Sequence, residues 1–367
     1  MPICGYNRGE GNKMKPQLLS VYDAIAYGAK LSVADFVYHY AAPALAGSEN
    51  AMKKLGLNAV CMDSFSAAAH AAEGCELGGK RSLVLSSVSA SPGFYSASYM
   101  RLPVVSANVW PASNKTIGSQ SCLPSFRDAG FLVFMPESPQ ETVDTIAQAY
   151  KVSESRNVLL PSVVNIDMTG FQEPANMPEE RFVRNYVSKF SLPHHITDRK
   201  HHYFNATNSP EFAQQQRKAM KNAAAAIENA SDLWKKKTAR KLPAVEQYKL
   251  EDADYAVIIS GFHSTTAKAA VNRMRAEGKK VGLLRVRVFS PWPSDAVKQA
   301  LKNVKKSFAF DQSISIASCG ILHAAAGRDA GFCSGFILIN RYPSEKDFVG
   351  MFERLMKSEK EEIVWFR

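Results

Sequence analysis

Residues 255–260 read Y-A-V-I-I-S, residues 261–278 G-F-H-S-T-T-A-K-A-A-V-N-R-M-R-A-E-G, residues 280–288 K-V-G-L-L-R-V-R-V, and residues 307–311 S-F-A-F-D. The apolar runs Tyr255–Ser260, Lys280–Val288 and Ser307–Phe310 are short and bounded by glycine, proline or charge, the pattern of strands buried on both faces of a parallel sheet. Between the first two, Ser264–Glu277 has helical apolar spacing and stops at Gly278, a residue that tolerates the left-handed backbone of a helix end. After Pro291-Trp292-Pro293, Ser294 stands as an N-cap for Asp295–Leu301. The order β-α-β-α-β predicts a small doubly wound α/β unit over 251–367.

Upstream, the same alternation recurs. A helix is expected over Leu18–Ala29, strands over Asp35–Tyr40, Asn58–Cys61, Ser82–Ser86, Val104–Asn108, Phe131–Phe134 and Val158–Ile166, and a helix over Gln140–Val152. The alanine-rich Ser66–Gly74 implies close packing. Residues 1–190 therefore form a second parallel-sheet domain. Residues 191–250 separate the two and read as a basic surface crossover with one helix.

That crossover dominates the charge. Of the net +11, the stretch Arg181–Leu250 supplies +9, with 14 lysines and arginines against 5 acids. It includes Arg199-Lys200-His201-His202, Lys235-Lys236-Lys237 and Arg240-Lys241. Such a segment suits an acidic protein or a nucleic acid. A solvated helix face explains it more simply, because no nucleic-acid motif or aromatic stacking pattern accompanies it.

Composition narrows the class further. A chain of 367 residues with 46% hydrophobic content is not disordered, and no apolar stretch approaches the roughly 20 residues of a membrane-spanning helix. Met1–Lys15 has no apolar h-region behind it, so no secretory signal and a cytoplasmic location are expected. The six cysteines include no C-x-x-C pair, which argues against a zinc ribbon or an iron–sulfur cluster carried on this chain and for reduced structural thiols. His194-His195 and His201-His202 lack carboxylate or cysteine at ligand spacing, so no metal site is expected. The turn Ser318-Cys319-Gly320 offers backbone N–H groups that could meet an anion.

Several stretches together carry a family likeness. Gln140–Tyr150 (Q-E-T-V-D-T-I-A-Q-A-Y), Val158–Asn165 (V-L-L-P-S-V-V-N), Met100–Val105 (M-R-L-P-V-V) and Val281–Pro293 (V-G-L-L-R-V-R-V-F-S-P-W-P) resemble the alpha chain of pyruvate (2-oxoacid):ferredoxin oxidoreductases, in order, from about Asp23 to the C-terminus. The resemblance implies a thiamine diphosphate pyrimidine-type domain followed by a transketolase C-terminal-like domain. It also implies a heteromeric complex with a beta-type thiamine chain and iron–sulfur, gamma- or delta-type chains. Thiamine pyrophosphate, Mg2+, [4Fe-4S] clusters and coenzyme A would sit on those partners, and the complex would convert a 2-oxoacid to acyl-CoA, CO2 and reduced ferredoxin.

The likeness fails where the family keeps its chemistry. Thiamine needs a carboxylate on its aminopyrimidine ring, supplied in the family by a glutamate in an E-S-E-H-S-A type motif. Here Met62-Asp63-Ser64-Phe65-Ser66-Ala67 puts Ser64 at that position and Asp63 beside it, facing the other way in an extended segment. Glu73 and Glu76 lie roughly three helical turns on, too far to substitute. The family's Y-P-I-T-P loop is Tyr40-Ala41-Ala42-Pro43-Ala44, without the threonine, and the arginine that would clamp the oxoacid carboxylate aligns with Pro111. Ser86–Gly93 is too short to form the usual pocket wall. Three losses in independent motifs point to a non-catalytic chain kept for assembly or regulation. The alternatives are a competent chain using Asp63, with Arg101, Lys115 or Arg127 as clamp, and a basic adaptor for nucleic acid or an acidic protein.

Overall fold

The computed structural model describes residues 16–87, 95–110, 118–167, 172–193, 210–313, 319–339 and 341–366. Two large sheets organise them. The first runs in the order Val288–Ser290, Leu132–Phe134, Ser162–Asp167, Val105–Trp110, Ser82–Ser86, Phe36–Tyr40, Ala59–Met62, and only its first strand is antiparallel. The second runs Ile363–Phe366, Cys333–Leu338, Lys306–Asp311, Tyr255–Ile259, Val281–Val286, Val245–Tyr248, and only its last strand is antiparallel. The chain is thus the α/β protein with two mostly parallel sheets that its sequence predicts. Central strands such as Ser82–Ser86 and Val281–Val286 are buried at every position, because crossover helices cover both faces.

Helix ends follow local chemistry. Ser20 and Asp23 form a capping box, each side chain taking the other's backbone N–H, so the first helix begins at Val21 and Leu18 falls instead, exposed, in the short strand Gln17–Leu19. Ser138 caps the helix Pro139–Ser153, which is buried almost throughout. It lies between the first sheet, the helix Val21–Leu31 and the helix Pro210–Thr238. At Gly28 the neighbouring helix comes so close that a Cβ would stand 2.7 Å from Ile146 Cδ1.

Three expectations need correction. Residues 191–250 are not a linker over their described length. Pro210–Thr238 buries Ala219, Ala223, Ile227, Ala230 and Trp234 in the core of the first sheet, an apolar stripe three to four residues apart on a helix otherwise polar. Trp234 stacks edge-on to Tyr186 at 4.9 Å, and Arg240, counted above as a surface charge, grips buried Asp144 at 2.5 and 2.9 Å. Val245–Tyr248 then enters the second sheet. Second, the strand expected to run from Lys280 to Val288 breaks after Val286, and Val288–Ser290 crosses to pair with Leu132–Phe134 of the other sheet. Third, Val158–Leu160 are not strand, since Leu159 has a φ of +44° and Arg101 donates to the carbonyls of Val158 and Leu159 at 2.5 and 3.0 Å. No helix among the described residues is long and apolar enough to cross a membrane.

The crossing at Arg287 is held by buried ions. Glu141, near the start of Pro139–Ser153, takes two hydrogen bonds from Arg285 at 2.6 and 3.0 Å and one from Arg287 Nε. Arg287 also donates to the Pro243 carbonyl at 2.7 Å, and its own backbone carbonyl accepts from Met135 N at 2.7 Å. Glu246 and Lys268 extend the cluster. Burial would raise the Glu141 carboxyl, but the two guanidiniums outweigh it and hold the group well below the usual carboxylate range.

Glu141→Gln removes the acid that both guanidiniums share, leaving buried Arg287 without its carboxylate, and is expected to cost about 3–5 kcal/mol at pH 7 in denaturant unfolding. Because the folded pKa is depressed, the wild-type advantage should be complete above the unfolded value, about 4.3, and shrink as pH falls below it. An equal cost at pH 3 would contradict the assignment.

Candidate functional site

Both sheets turn the carboxyl ends of their central strands toward one junction, where parallel α/β sheets form binding crevices. The first sheet contributes Asp167, the second Ser260 and Gln312. Gln120 bridges them, its amide donating to Ser260 Oγ at 3.5 Å and its carbonyl accepting from Gln312 N at 2.8 Å. Gly118 N donates to Gln312 O at 2.9 Å, and a Cβ on Gly118 would meet Gln312 Cβ at 2.5 Å. Gly261, at a φ of +76°, brings its backbone against Asp167, leaving 3.1 Å between a would-be Cβ and Oδ2. His263 is buried beside it, 5.4 Å from the Tyr342 ring. Burial holds its imidazole below the ordinary histidine range, against the pull of Asp167 and Gln312, so it is neutral at pH 7.

Behind this junction lies a buried polar ladder. Ser86 donates to Asn108 Oδ1 at 2.9 Å, Asn108 to Asn165 Oδ1 at 2.9 Å, and the Cys122 thiol to the same oxygen at 3.2 Å. None of these residues was singled out as a site residue from sequence. The sequence pattern marks 261–263 only as the connection between the strand Tyr255–Ser260 and the helix Ser264–Glu277. The rest come from separate loops with no shared motif.

The expected site residues are scattered. Ser64 is exposed and caps the helix Phe65–Leu77, its hydroxyl accepting from Ala67 N at 3.2 Å. Asp63 is exposed beside it. Tyr40 uses its phenol on the backbone of Ser87, accepting from N at 3.1 Å and donating to O at 3.2 Å. Glu73 accepts from the Ser96 hydroxyl at 2.5 Å, and Glu76, buried at the far end of the same helix, accepts from Ser82 N at 3.1 Å. Arg101 precedes Val105–Trp110 and so lies at the amino edge of the sheet, committed to the Val158 and Leu159 carbonyls, where it cannot clamp a substrate at the opposite edge. Arg127 likewise precedes its strand and pairs with Asp128 at 2.7 Å. Pro111, Lys115, Gly93, His194, His195, His201 and His202 lie outside the described residues. No cluster among the described residues has three or more groups able to hold a metal.

These residues do not fit the aminopyrimidine of thiamine pyrophosphate. At the turn after Ala59–Met62 the one hydroxyl is spent on a helix cap, and the one carboxylate among the described residues there, Asp63, is exposed. The turn Ser318-Cys319-Gly320 lies partly outside the described residues, since Ser318 is not among them, and the N–H groups just after it, in the first turn of Ile321–Ala326, are taken by a side chain of this chain. Asp311 accepts from Leu322 N at 2.7 Å and His323 N at 3.0 Å, and Gly320 makes room for it, since a Cβ there would lie 1.9 Å from Oδ2. Burial pushes the Asp311 carboxyl up to about 7 against these N–H groups.

Comparison with known proteins agrees with this architecture. Residues 41–236 match the family model described as pyruvate flavodoxin/ferredoxin oxidoreductase, thiamine diphosphate-binding, and residues 253–328 match pyruvate:ferredoxin oxidoreductase core domain II. Pyruvate synthase subunit PorA of Methanothermobacter thermautotrophicus is 30% identical over 239 residues, covering 62% of this chain and 62% of that protein. The alpha subunit of NADH-dependent phenylglyoxylate dehydrogenase from Aromatoleum evansii is 29% identical over 252 residues, 63% of this chain and 60% of that one. The alignments thus span less than two thirds of either relative. The solved 2-oxoglutarate:ferredoxin oxidoreductase of Magnetococcus marinus shares the fold, with a TM-score of 0.73 at 16% identity over 94% of this chain and 66% of that one.

The Asp311 carboxyl binds a proton in the fold up to about pH 7, whereas in the unfolded chain it ionises near pH 4. Its contribution to stability is therefore present at low pH and lost as pH rises between those values. Wild type is expected to lose ground to Asp311→Asn by about 1.4 kcal/mol per pH unit across that window in denaturant titrations. A difference independent of pH would show that the carboxyl is ionised throughout.

Proposed function

The chain belongs to the pyruvate flavodoxin/ferredoxin oxidoreductase family, and from that premise we propose that it is the alpha-type subunit of a 2-oxoacid oxidoreductase complex to which it contributes structure and not catalytic groups. The reaction of the complex is the oxidation of a 2-oxoacid with coenzyme A to acyl-CoA and CO2, with electrons passed to ferredoxin. Its partners are a beta-type thiamine chain and cluster-bearing chains of gamma or delta type, and its location is cytoplasmic.

One observation carries the non-catalytic reading. Ser64, at the position where the resemblance calls for a glutamate, spends its hydroxyl on the first turn of a helix, and the neighbouring carboxylate, Asp63, is exposed. The framework around that gap is intact, with the ladder from Ser86 to Asn165 satisfied and the two sheets joined. A fold retained with its chemistry gone is consistent with selection on assembly, because function resides in the site and not in the architecture.

The complex purified anaerobically from its source, with all its chains, tests this. A beta-type thiamine chain and an iron-bearing chain are expected to accompany this one. The complex carrying Asp63→Ala is expected to assemble normally and to turn over 2-oxoacid within about twofold of wild type, far below the roughly hundredfold or greater effect typical of an acid–base group. Intact assembly with a hundredfold loss would make Asp63 the missing acid and overturn the reading.

A further inference from the structure

We propose that Cys319 is a covalent modification site, a thiol that His323 activates for exchange with disulfides. The inference concerns a different part of the chain from the thiamine-fold edge and stands whether or not the chain is catalytic. Cys319 Sγ lies 2.9 Å from His323 Nδ1, and Nε2 of the same ring lies 2.9 Å from the carbonyl oxygen of Cys333. A carbonyl can only accept, so Nε2 carries the hydrogen and donates. In the neutral ring that leaves Nδ1 as the base, aimed at the thiol.

The imidazole is fixed from a second side. It packs on Gly335 in the strand Cys333–Leu338, where a Cβ would come within 3.0 Å of its Cγ. Nucleophile, base and a third group orienting the base are therefore all present, which is the arrangement that activates a weak nucleophile. Both Cys319 and His323 are half-buried, so a small reagent can reach them.

The other described cysteines lack this arrangement. Burial pushes Cys75 up to about 11 and Cys333 up to about 12, and raises Cys122 as well, which keeps those three as thiols. Cys61 is exposed, with only the Met62 carbonyl at 3.9 Å. Among the described residues no other cysteine has an imidazole within hydrogen-bonding distance.

The chemistry balances without an external oxidant beyond the disulfide itself. The Cys319 proton passes to His323 Nδ1, the thiolate attacks one sulfur of the incoming disulfide, that S–S bond breaks as the new one forms, and the departing thiolate takes the proton from the imidazolium. The adduct would sit where the two units meet, since Ile321 and Ala325 of the adjoining helix share a core with Phe126 and Phe131 of the first sheet's layer.

The test uses the protein with its natural partner chains, treated with glutathione disulfide or, separately, iodoacetamide, and each cysteine followed by peptide mass spectrometry between pH 6 and 8. Cys319 is expected to react about tenfold or more faster than Cys61 at pH 6.5. In His323→Gln that advantage should be lost. Equal rates for Cys319 and Cys61 in the wild type, or an unchanged Cys319 rate in a folded His323→Gln protein, would overturn the proposal. Should that variant not fold, the two wild-type rates decide by themselves.

Discussion

Everything in this chain hangs on the grip of Arg285 and Arg287 on Glu141. The two arginines flank the point where one peptide leaves the second sheet and begins pairing with the first, and the glutamate sits at the start of the most deeply buried helix of the first layer. Ions this buried are costly to desolvate, so the cluster adds little net stability over an apolar core of the same shape. What it provides is directional. Two guanidinium forks and a carboxylate are satisfied in very few relative positions, so the sheets have few ways to meet.

That fixed meeting determines what the junction can be. Once Val288–Ser290 joins the first sheet, the carboxyl edges of both sheets face each other, and Gln120, Gln312 and Ser260 close hydrogen bonds across the gap. His263 is buried and neutral there, next to Asp167. The first-turn N–H groups of Leu322 and His323 in Ile321–Ala326, of the kind that in many α/β proteins meet a ligand's anion, hold Asp311 instead. The chain has filled with its own side chains a position that the fold makes available to ligands. The pattern agrees with the exposed acid and the helix-capping serine after Ala59–Met62.

Much of this was legible in the residues. Short apolar runs closed by glycine and proline located nearly every strand of the first sheet and the central strands of the second, because a parallel strand buried on two faces must be apolar along its whole length. Helix ends are less legible. The Ser20–Asp23 box starts the first helix at Val21, three residues beyond the Leu18 that apolar spacing suggests. The strands Cys333–Leu338 and Ile363–Phe366 and the helix Glu345–Lys357 emerge only in the fold. The absence of a carboxylate at Ser64 was readable directly, since it is a matter of residue identity and not of geometry.

The sequence by itself therefore determined the class, the alternation of strands and helices, and which chemical groups exist to be used. Tertiary structure decided which of those groups meet. Glu141, Asp144 and Gln148 look like the solvent face of an amphipathic helix, yet all three are buried, because helices from both flanks close over Pro139–Ser153. Residues 191–250 look like a surface crossover between the two units, yet Trp234 and Arg240 fasten them to the first core. Arg101 sits in a family motif and still faces the wrong edge of the sheet. Periodicity reports how one segment divides between inside and outside. It carries no information about which distant segment forms the inside, and here that is fixed by pairings such as Arg285 and Arg287 on Glu141 and Arg240 on Asp144.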